Sequence, residues 1–361
     1  MGDMVRPEGW WAGYLAFENY QFLDPFNLNE PLPGPIPGHW FGFFPSVLVL
    51  DHREKRAFIR AQTPEDGDQA LQKWQEALSP PLKKGGEGGF SRVLATPDKD
   101  QFADKILTIK KYLAAGDAYQ INLTEKFHAF SQMTAGALYQ SLRAASPVPY
   151  GAFLNAGDFQ ILSASPESFL QIENGRITTR PIKGTRCRIS EKEDPVQTNA
   201  LLASEKDKAE LLMITDLERN DLGKICETGS VTADPLFEVE SFAQVHHLVA
   251  TVSGKLKKGI GVVKALEAVF PGGSVTGAPK IRALQIIKEL ENEPRSVYTG
   301  ALGFIGPDGE AKFNLPIRSM TKVGDDVYFH AGCGIVIDSD AKSEFEEMQA
   351  KASGMLKALG L

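Results

Sequence analysis

Residues 151–185 read GAFLNAGDFQILSASPESFLQIENGRITTRPIKGT. Short runs rich in aromatic and β-branched residues are separated by NAGD (155–158) and ENG (173–175), the turn chemistry that closes antiparallel hairpins. The stretch therefore reads as a meander of antiparallel strands. The same alternation returns in residues 297–338, VYTGALGFIGPDGEAKFNLPIRSMTKVGDDVYFHAGCGIVID, with turns at PDG and VGDD, and in AYQINLTEKFHAF (118–130). Helical patterns lie between these groups of strands rather than between single strands. That order predicts an α+β fold with large antiparallel sheets, not a doubly wound parallel one. Within the opening stretch Lys183 stands between Pro-Ile and Gly-Thr, and its strand-like setting leaves open whether it is a solvated charge or a buried amine.

The 361 residues are 42% hydrophobic, enough to bury a large core in one or two domains. Acidic residues outnumber basic ones, 46 to 39, and no stretch concentrates Lys and Arg, so the footprint of a nucleic-acid binder is missing. No signal-peptide core is present at the N-terminus, and the longest apolar run, FGFFPSVLVL (41–50), is too short to span a bilayer. A cytoplasmic protein without membrane or nucleic-acid partners is expected. Cys187, Cys226 and Cys333 show no metal-finger spacing and read as reduced structural thiols.

Residues 1–80 contain two strand-like stretches, GWWAGYLAFENY and FPSVLVLDHREKRAFIRAQ, with a hairpin near DHREK, and the loop PLPGPIPG between them. SPPLKKGGEGGFSR (79–92) is a break, which divides the chain into a strand-rich N-terminal region, 1–92, and a main domain, 93–361. From Asp98, Phe102, Ile106, Ile109 and Leu113 recur at helical spacing and Gly116 ends the pattern, predicting a helix with a glycine C-cap. No repeat or heptad array is present.

The last helix, SEFEEMQAKASGMLKAL, sets Phe345, Met348, Ala352 and Leu356 on one face and Glu344, Glu347 and Lys351 on the next. Alone, that polar face also fits a solvated surface with a Glu347–Lys351 pair. ASEKDKAELLMITDLERNDLGKI repeats the arrangement with Asp207 and Glu210 ahead of an apolar run. Two helices that each offer a carboxylate at a core edge can share a hard cation such as Mg²⁺, or each carboxylate can pair with Lys or Arg. FPGGSVTGAPKIRALQII (270–287) is not a P-loop, because Ala278-Pro279 follows Gly277. Pro279 suits a helix N1 position with Ile281, Leu284, Ile287 and Leu290 as the buried stripe, while Ser274 and Thr276 can receive a carboxylate or act as caps. His246 and His247 are adjacent in a strand-like run and face opposite sides. Arg318, a lone cation in an apolar strand, predicts an anionic partner.

Taken in order, SASPESF, RPIKGTR, KAELLMITDLERNDLGKIC, HHLVATVSG, FPGGSVTGAPKIRAL, YTGALGFI, LPIRSM and HAGCGIVIDSDAKSEFEEMQAKA resemble the chorismate-utilising enzymes, from about Asp98 to the C-terminus. That group contains anthranilate synthase component I, aminodeoxychorismate synthase component I and the isochorismate and salicylate synthases. The resemblance implies a sandwich of two large antiparallel sheets flanked by helices, with the site in the cleft between them. Anthranilate synthases carry Ala in the PIAGT version of the Lys183 motif, so PIKGT is similar to the aminodeoxychorismate synthase branch. The activity so implied replaces the C4 hydroxyl of chorismate by ammonia, supplied by a glutamine amidotransferase subunit, to give 4-amino-4-deoxychorismate for 4-aminobenzoate and folate.

Residue by residue, Lys183 resembles the nucleophile that attacks C2, and Glu167 the acid that protonates the leaving hydroxyl. A lysine at its usual pKa of ~10.4 is rarely neutral at pH 7, and lowering that value ~3 units takes roughly 4 kcal/mol from the ammonium form. The resemblance further implies Glu210 and Glu347 as Mg²⁺ ligands, with Asp207 and Glu344 in the outer sphere. Asp207 stands where a glutamate is usual. Gly332, Gly334 and Lys351 would support the ring carboxylate, and Tyr298 and Arg318 would grip the enolpyruvyl carboxylate. His247 would stand near the leaving hydroxyl, Ser274 at a position that is often Thr, and Gly184-Thr185 would let the backbone pass close to the ring. Full-length members carry a longer N-terminal region; no LLES-like segment precedes GWWAGYLAFENY, so tryptophan feedback is not expected. Two other readings compete: anthranilate or isochorismate synthase, and a silent chorismate-binding scaffold for an amidotransferase.

Overall fold

Alternating patterns that hide one face build two large antiparallel sheets, and a computed structural model shows how they meet. It describes residues 9–20, 34, 36–51, 54–78, 89–188, 190, 193–242 and 245–361. The eight-stranded sheet runs, in spatial order, Thr232–Ala233, Val252–Lys255, Arg176–Arg180, Ser168–Glu173, Ala311–Asn314, Ala301–Ile305, Trp10–Leu15 and His39–Phe44. The seven-stranded sheet centres on Gln120–Ser131 paired with Asp326–Ile335, followed by Ser319–Val323, Gln160–Ser165 and Tyr150–Asn155; Gly277–Ala278 and Ser91–Ala95 share the other side of Gln120–Ser131.

The ENG turn closes a hairpin in which Asn174 and Gly175 both have positive φ, 51° and 73°, as a two-residue type I′ turn requires. One hydrophobic core takes Phe169, Ile172, Ile177 and Phe313 from the first sheet and Ile121, Leu123, Phe127 and Phe329 from the second. Phe127 and Phe329 are cross-strand partners whose rings stack at 5.0 Å. The Lys99–Ala114 helix begins where Asp98 accepts the N–H groups of Asp100 and Gln101 and buries Phe102, Ile106, Ile109 and Leu113, as the periodicity predicts. The Ala341–Ala358 helix buries Phe345, Met348, Ala352 and Met355. Each such large side chain stabilises the fold by about 1.5–3 kcal/mol.

Three features differ from the sequence expectation. A third, three-stranded sheet, Ile182–Cys187, Val245–Val249 and Glu238–Ser241, carries Lys183 and His247, so the lysine belongs to neither large sheet. In the Lys280–Leu290 helix Pro279 is the N-cap, and Ala283, Leu284, Ile286 and Ile287 are buried while Ile281 is 48% exposed. The stripe is displaced because Gly277–Ala278 pairs with Gln120–Ile121 and fixes how the helix leaves the sheet. Finally, Trp10–Leu15 and His39–Phe44 extend the sheet beside Ala301–Ile305, so it crosses the boundary drawn at residue 92. Ser46–Asp51 and Arg56–Ala61 form the hairpin expected near DHREK. Residues 79–88 of the break and half of PLPGPIPG, residues 31–33 and 35, lie outside the described residues. No helix among the described residues is long and apolar enough to cross a membrane.

Candidate active site

At four of the places where the chain changes sheets, a candidate residue stands at or beside the crossing. It leaves the seven-stranded sheet at Ser165, passes Pro166 and Glu167, and enters the eight-stranded sheet at Ser168. It leaves that sheet at Arg180 and, past Pro181, starts the strand that bears Lys183. It returns through Ala250 and Thr251, just after His247. It crosses back between Asn314 and Ser319, through Pro316 and Arg318. Proline lacks the N–H that a ladder needs, so these prolines end the pairing and release the backbone toward the interior.

Glu167 is 6% exposed. Its N–H donates to Ser165 Oγ at 3.2 Å, its C=O accepts from the Leu315 N–H at 3.1 Å, and its Oε1 accepts from Ser274 Oγ at 2.6 Å. Burial pushes its carboxyl up to about 7, with Glu218 adding to the rise and Ser274 and Lys183 opposing it. Lys183 is half-buried. Burial is the largest influence and lowers its pKa, Lys351 lowers it further, and Glu210, Glu167 and Glu347 oppose; the balance lies below the usual lysine value. Gly184 has φ +69° at a bulge between Lys183 and Thr185, which re-aims the side chains on either side. It does so against the Asp194–Ala203 and Glu205–Ile225 helices: a Cβ there would lie 2.9 Å from Leu201 Cδ1 on the first and 3.0 Å from Asp207 on the second.

His247 Nδ1 bonds Thr185 Oγ1 at 3.0 Å, while its Nε2 is buried without a hydrogen-bond partner among the described residues. Burial, then Arg318, pushes its pKa down to about 4, so the ring is neutral at pH 7. His246 points the other way, to Ser241 and Asp194. Tyr298 stacks on His330 at 5.5 Å, and burial raises its phenol to about 12. Arg318 sits just before its strand, at φ 50°, and makes no ion pair among the described residues. The Thr299 N–H donates to Pro316 O at 3.2 Å and ties the Tyr298 and Arg318 loops together.

The two carboxylate helices are placed by their caps. Ser204 accepts the Asp207 N–H, and Asp340 accepts the Ser343 N–H, which sets Glu210 one turn in on the first and Glu344 and Glu347 on the second. Burial raises the Glu210 carboxyl; Asp207 and Glu347 add to the rise, and Lys183 and Lys206 oppose it. Burial also acts to raise the Glu347 carboxyl, but Lys351, Lys206 and Lys183 together outweigh it and hold the group below its usual value. Carboxylates offered from two helices in this way fit a hard divalent cation such as Mg²⁺. Glu344, Glu347 and Cys333 bring ligand atoms within 4.8 Å of one another. Lys351 now donates to Glu347 at 2.7 Å and to Gly332 O at 3.0 Å.

Other candidates have structural partners. Asp207 is ion-paired with Arg186 at 2.9 Å. Thr276 Oγ1 donates to the carbonyls of Gly272 and Gly273 within its own turn. Glu344 Oε1 accepts from Ser339 Oγ at 2.7 Å. Gly332 and Gly334 leave room for the neighbouring strand, since a Cβ would lie 2.2 Å from Leu123 O and 2.8 Å from the Gln120 side chain respectively.

Residues 3–357 match the family described as chorismate binding enzyme. The chain belongs to that family. The match begins well ahead of Asp98 and takes in the N-terminal strands from GWWAGYLAFENY onward. This chorismate binding enzyme is 38% identical to an aminodeoxychorismate synthase of Streptomyces griseus over 97% of its own length and 50% of the relative's. It is 35% identical to aminodeoxychorismate synthase component 1 of Bacillus subtilis over 98% of its length and 77% of the relative's. The solved anthranilate synthase component I of Streptococcus pneumoniae superposes with a TM-score of 0.84 at 31% identity, covering 98% of this chain and 82% of that one. The chain thus spans half of the first relative and most of the other two.

Within this chorismate binding enzyme two site neighbours had no signal in composition or spacing. His330 is buried against Tyr298, and Cys333, whose spacing reads as a structural thiol, lies beside Glu344, Glu347 and Lys351. For Cys333 the flanking Gly332 and Gly334 were the available clue.

Proposed function

We propose that this chorismate binding enzyme is an aminodeoxychorismate synthase component, which adds ammonia at C4 of chorismate through a lysine-bound intermediate. The observation that carries this reading is an amine depressed toward neutrality, Lys183, facing a buried carboxyl, Glu167, that holds its proton to about pH 7. The Lys183 amine attacks C2 as the ring double bond shifts and the C4 hydroxyl departs, taking a proton from Glu167 to leave as water. Ammonia then adds at C4, the double bond shifts back, and the C2–N bond to lysine breaks. The Glu167 carboxylate receives the proton that the ammonia nitrogen loses.

Glu210 and Glu347, with Glu344 beside them, would hold Mg²⁺, which when bound supplies positive charge for the ring carboxylate. Tyr298 and Arg318 would orient the enolpyruvyl carboxylate; a guanidinium without an acid partner among the described residues suits that role. His247, neutral, offers a hydrogen-bonding nitrogen at the C4 side. Ammonia would come from a glutamine amidotransferase partner, and folate supply would be the destination of the product.

Chorismate, Mg²⁺ and an ammonium salt incubated with the protein, with a chelator control, test this by product separation. 4-Amino-4-deoxychorismate is expected, and loss of product with the chelator. Anthranilate or isochorismate as the main product, or no turnover, would overturn it.

A further inference from the structure

Glu218 takes no part in the chemistry above, yet its carboxyl is built into the support of Glu167. It lies on the buried side of the Glu205–Ile225 helix, 3% exposed. Its Oε1 accepts the Gly273 N–H at 3.0 Å, and a Cβ at Gly273 would come within 2.9 Å of that oxygen, so the Gly273–Val275 turn is seated directly on the carboxyl. The next residue of the turn, Ser274, donates to Glu167 at 2.6 Å. A single peptide unit and one hydroxyl therefore connect the two acids. Glu218 Oε2 is buried with no hydrogen-bond partner among the described residues, a costly arrangement for a charged oxygen.

We infer that Glu218 is a positioning residue for Glu167: it holds the turn that aims Ser274 at the Glu167 carboxyl. The other groups facing Glu218 are Lys280, Asp221 and the Thr179 hydroxyl. Lys280 is committed to Asp221 at 2.5 Å and to the carbonyls of Val269 and Pro271. Glu167 is faced by Ser274, Lys183, Glu218 and the backbone of Ile182. Burial pushes both carboxyls up to about 7, and Glu218 is among the groups that raise Glu167. Neighbouring buried acids of this kind titrate as a pair. The inference rests on the role proposed for Glu167 but can be tested apart from it.

In the full chain, the infrared band of the protonated Glu167 carboxyl, assigned by its loss in Glu167→Gln, is followed with pH. Glu218→Gln keeps an oxygen for the Gly273 N–H and removes the charge, so the midpoint is expected to fall by about one unit. An unmoved midpoint overturns the inference. With chorismate and ammonia, Glu218→Ala is expected to lower kcat about tenfold with KM within about twofold. The double variant Glu218→Ala/Ser274→Ala should be no slower than Ser274→Ala alone; additive losses overturn the relay. Should Glu218→Ala fail to fold, Glu218→Gln alone decides. A midpoint that shifts in a protein making no aminated product sinks the proposed activity and leaves the relay standing.

Discussion

Glu167 and Lys183 work against their own ionisation. For Glu167 the folded-state carboxyl, at about 7, titrates above its unfolded value. Its effect on stability is therefore nil below the unfolded pKa, becomes a growing cost as pH rises toward 7, and is a full cost above that. Glu167→Gln should raise stability relative to the parent by on the order of 1–3 kcal/mol at pH 8 and by nothing from this source at pH 4, read from denaturant unfolding at both pH values. The same substitution should abolish turnover, since an amide cannot donate the proton. For Lys183→Ala, formation of aminated product should drop by about two orders of magnitude or more, with chorismate still bound by calorimetry. Retention of the parent rate would rule out covalent catalysis by this amine.

At the scale of elements, the bulge at Gly184 lets a strand turn its lysine inward while its backbone packs on a helix. Gly184→Ala combines a positive φ with contacts of 2.9–3.0 Å to Leu201 and Asp207. It should cost about 1–3 kcal/mol, seen as a lowered Tm, and should reduce turnover more than chorismate affinity, because the bulge aims Lys183 rather than binding substrate. The helices that carry the acids tolerate them for a simpler reason. Capped first turns leave Glu210 and Glu347 at helix edges, where Lys206 and Lys351 reach them, while the opposite faces fill the core.

Across the whole molecule, the N-terminal strands are structural members of the large sheet. Tyr14, Phe17 and Tyr20 are buried, and Glu18 accepts the N–H groups of Arg295 and Ser296. The Arg295 guanidinium lies over the Phe17 ring at 4.3 Å and bonds Glu291, Val275 O and Asn122 O. Removing residues 1–92 would bare the edge of Ala301–Ile305 and uncover this buried arginine cluster. The truncated chain is expected to be insoluble or to lack cooperative unfolding by circular dichroism; a soluble 93–361 with a sharp thermal transition would establish the division at residue 92 as a true domain boundary.

Local patterns in the sequence determined the hairpins, the Lys99–Ala114 helix and the faces of the last helix, because turn chemistry and periodicity act over a few residues. Order of motifs determined the family, and with it which acids and amines to watch. Tertiary structure alone decided that Lys183 lies in a third sheet beside His247, that Asp207 is held by Arg186, that Thr276 is spent on its own turn, and that Cys333 and Glu218 stand among the acids. Each of these depends on contacts between residues far apart in the chain. A side chain's ionisation follows the burial and charges around it, which no spacing encodes. The prolines at 166, 181 and 316 are where the two levels meet: visible in the sequence as breaks in strands, they act in the fold as the points where the chain changes sheets and brings its reactive groups together.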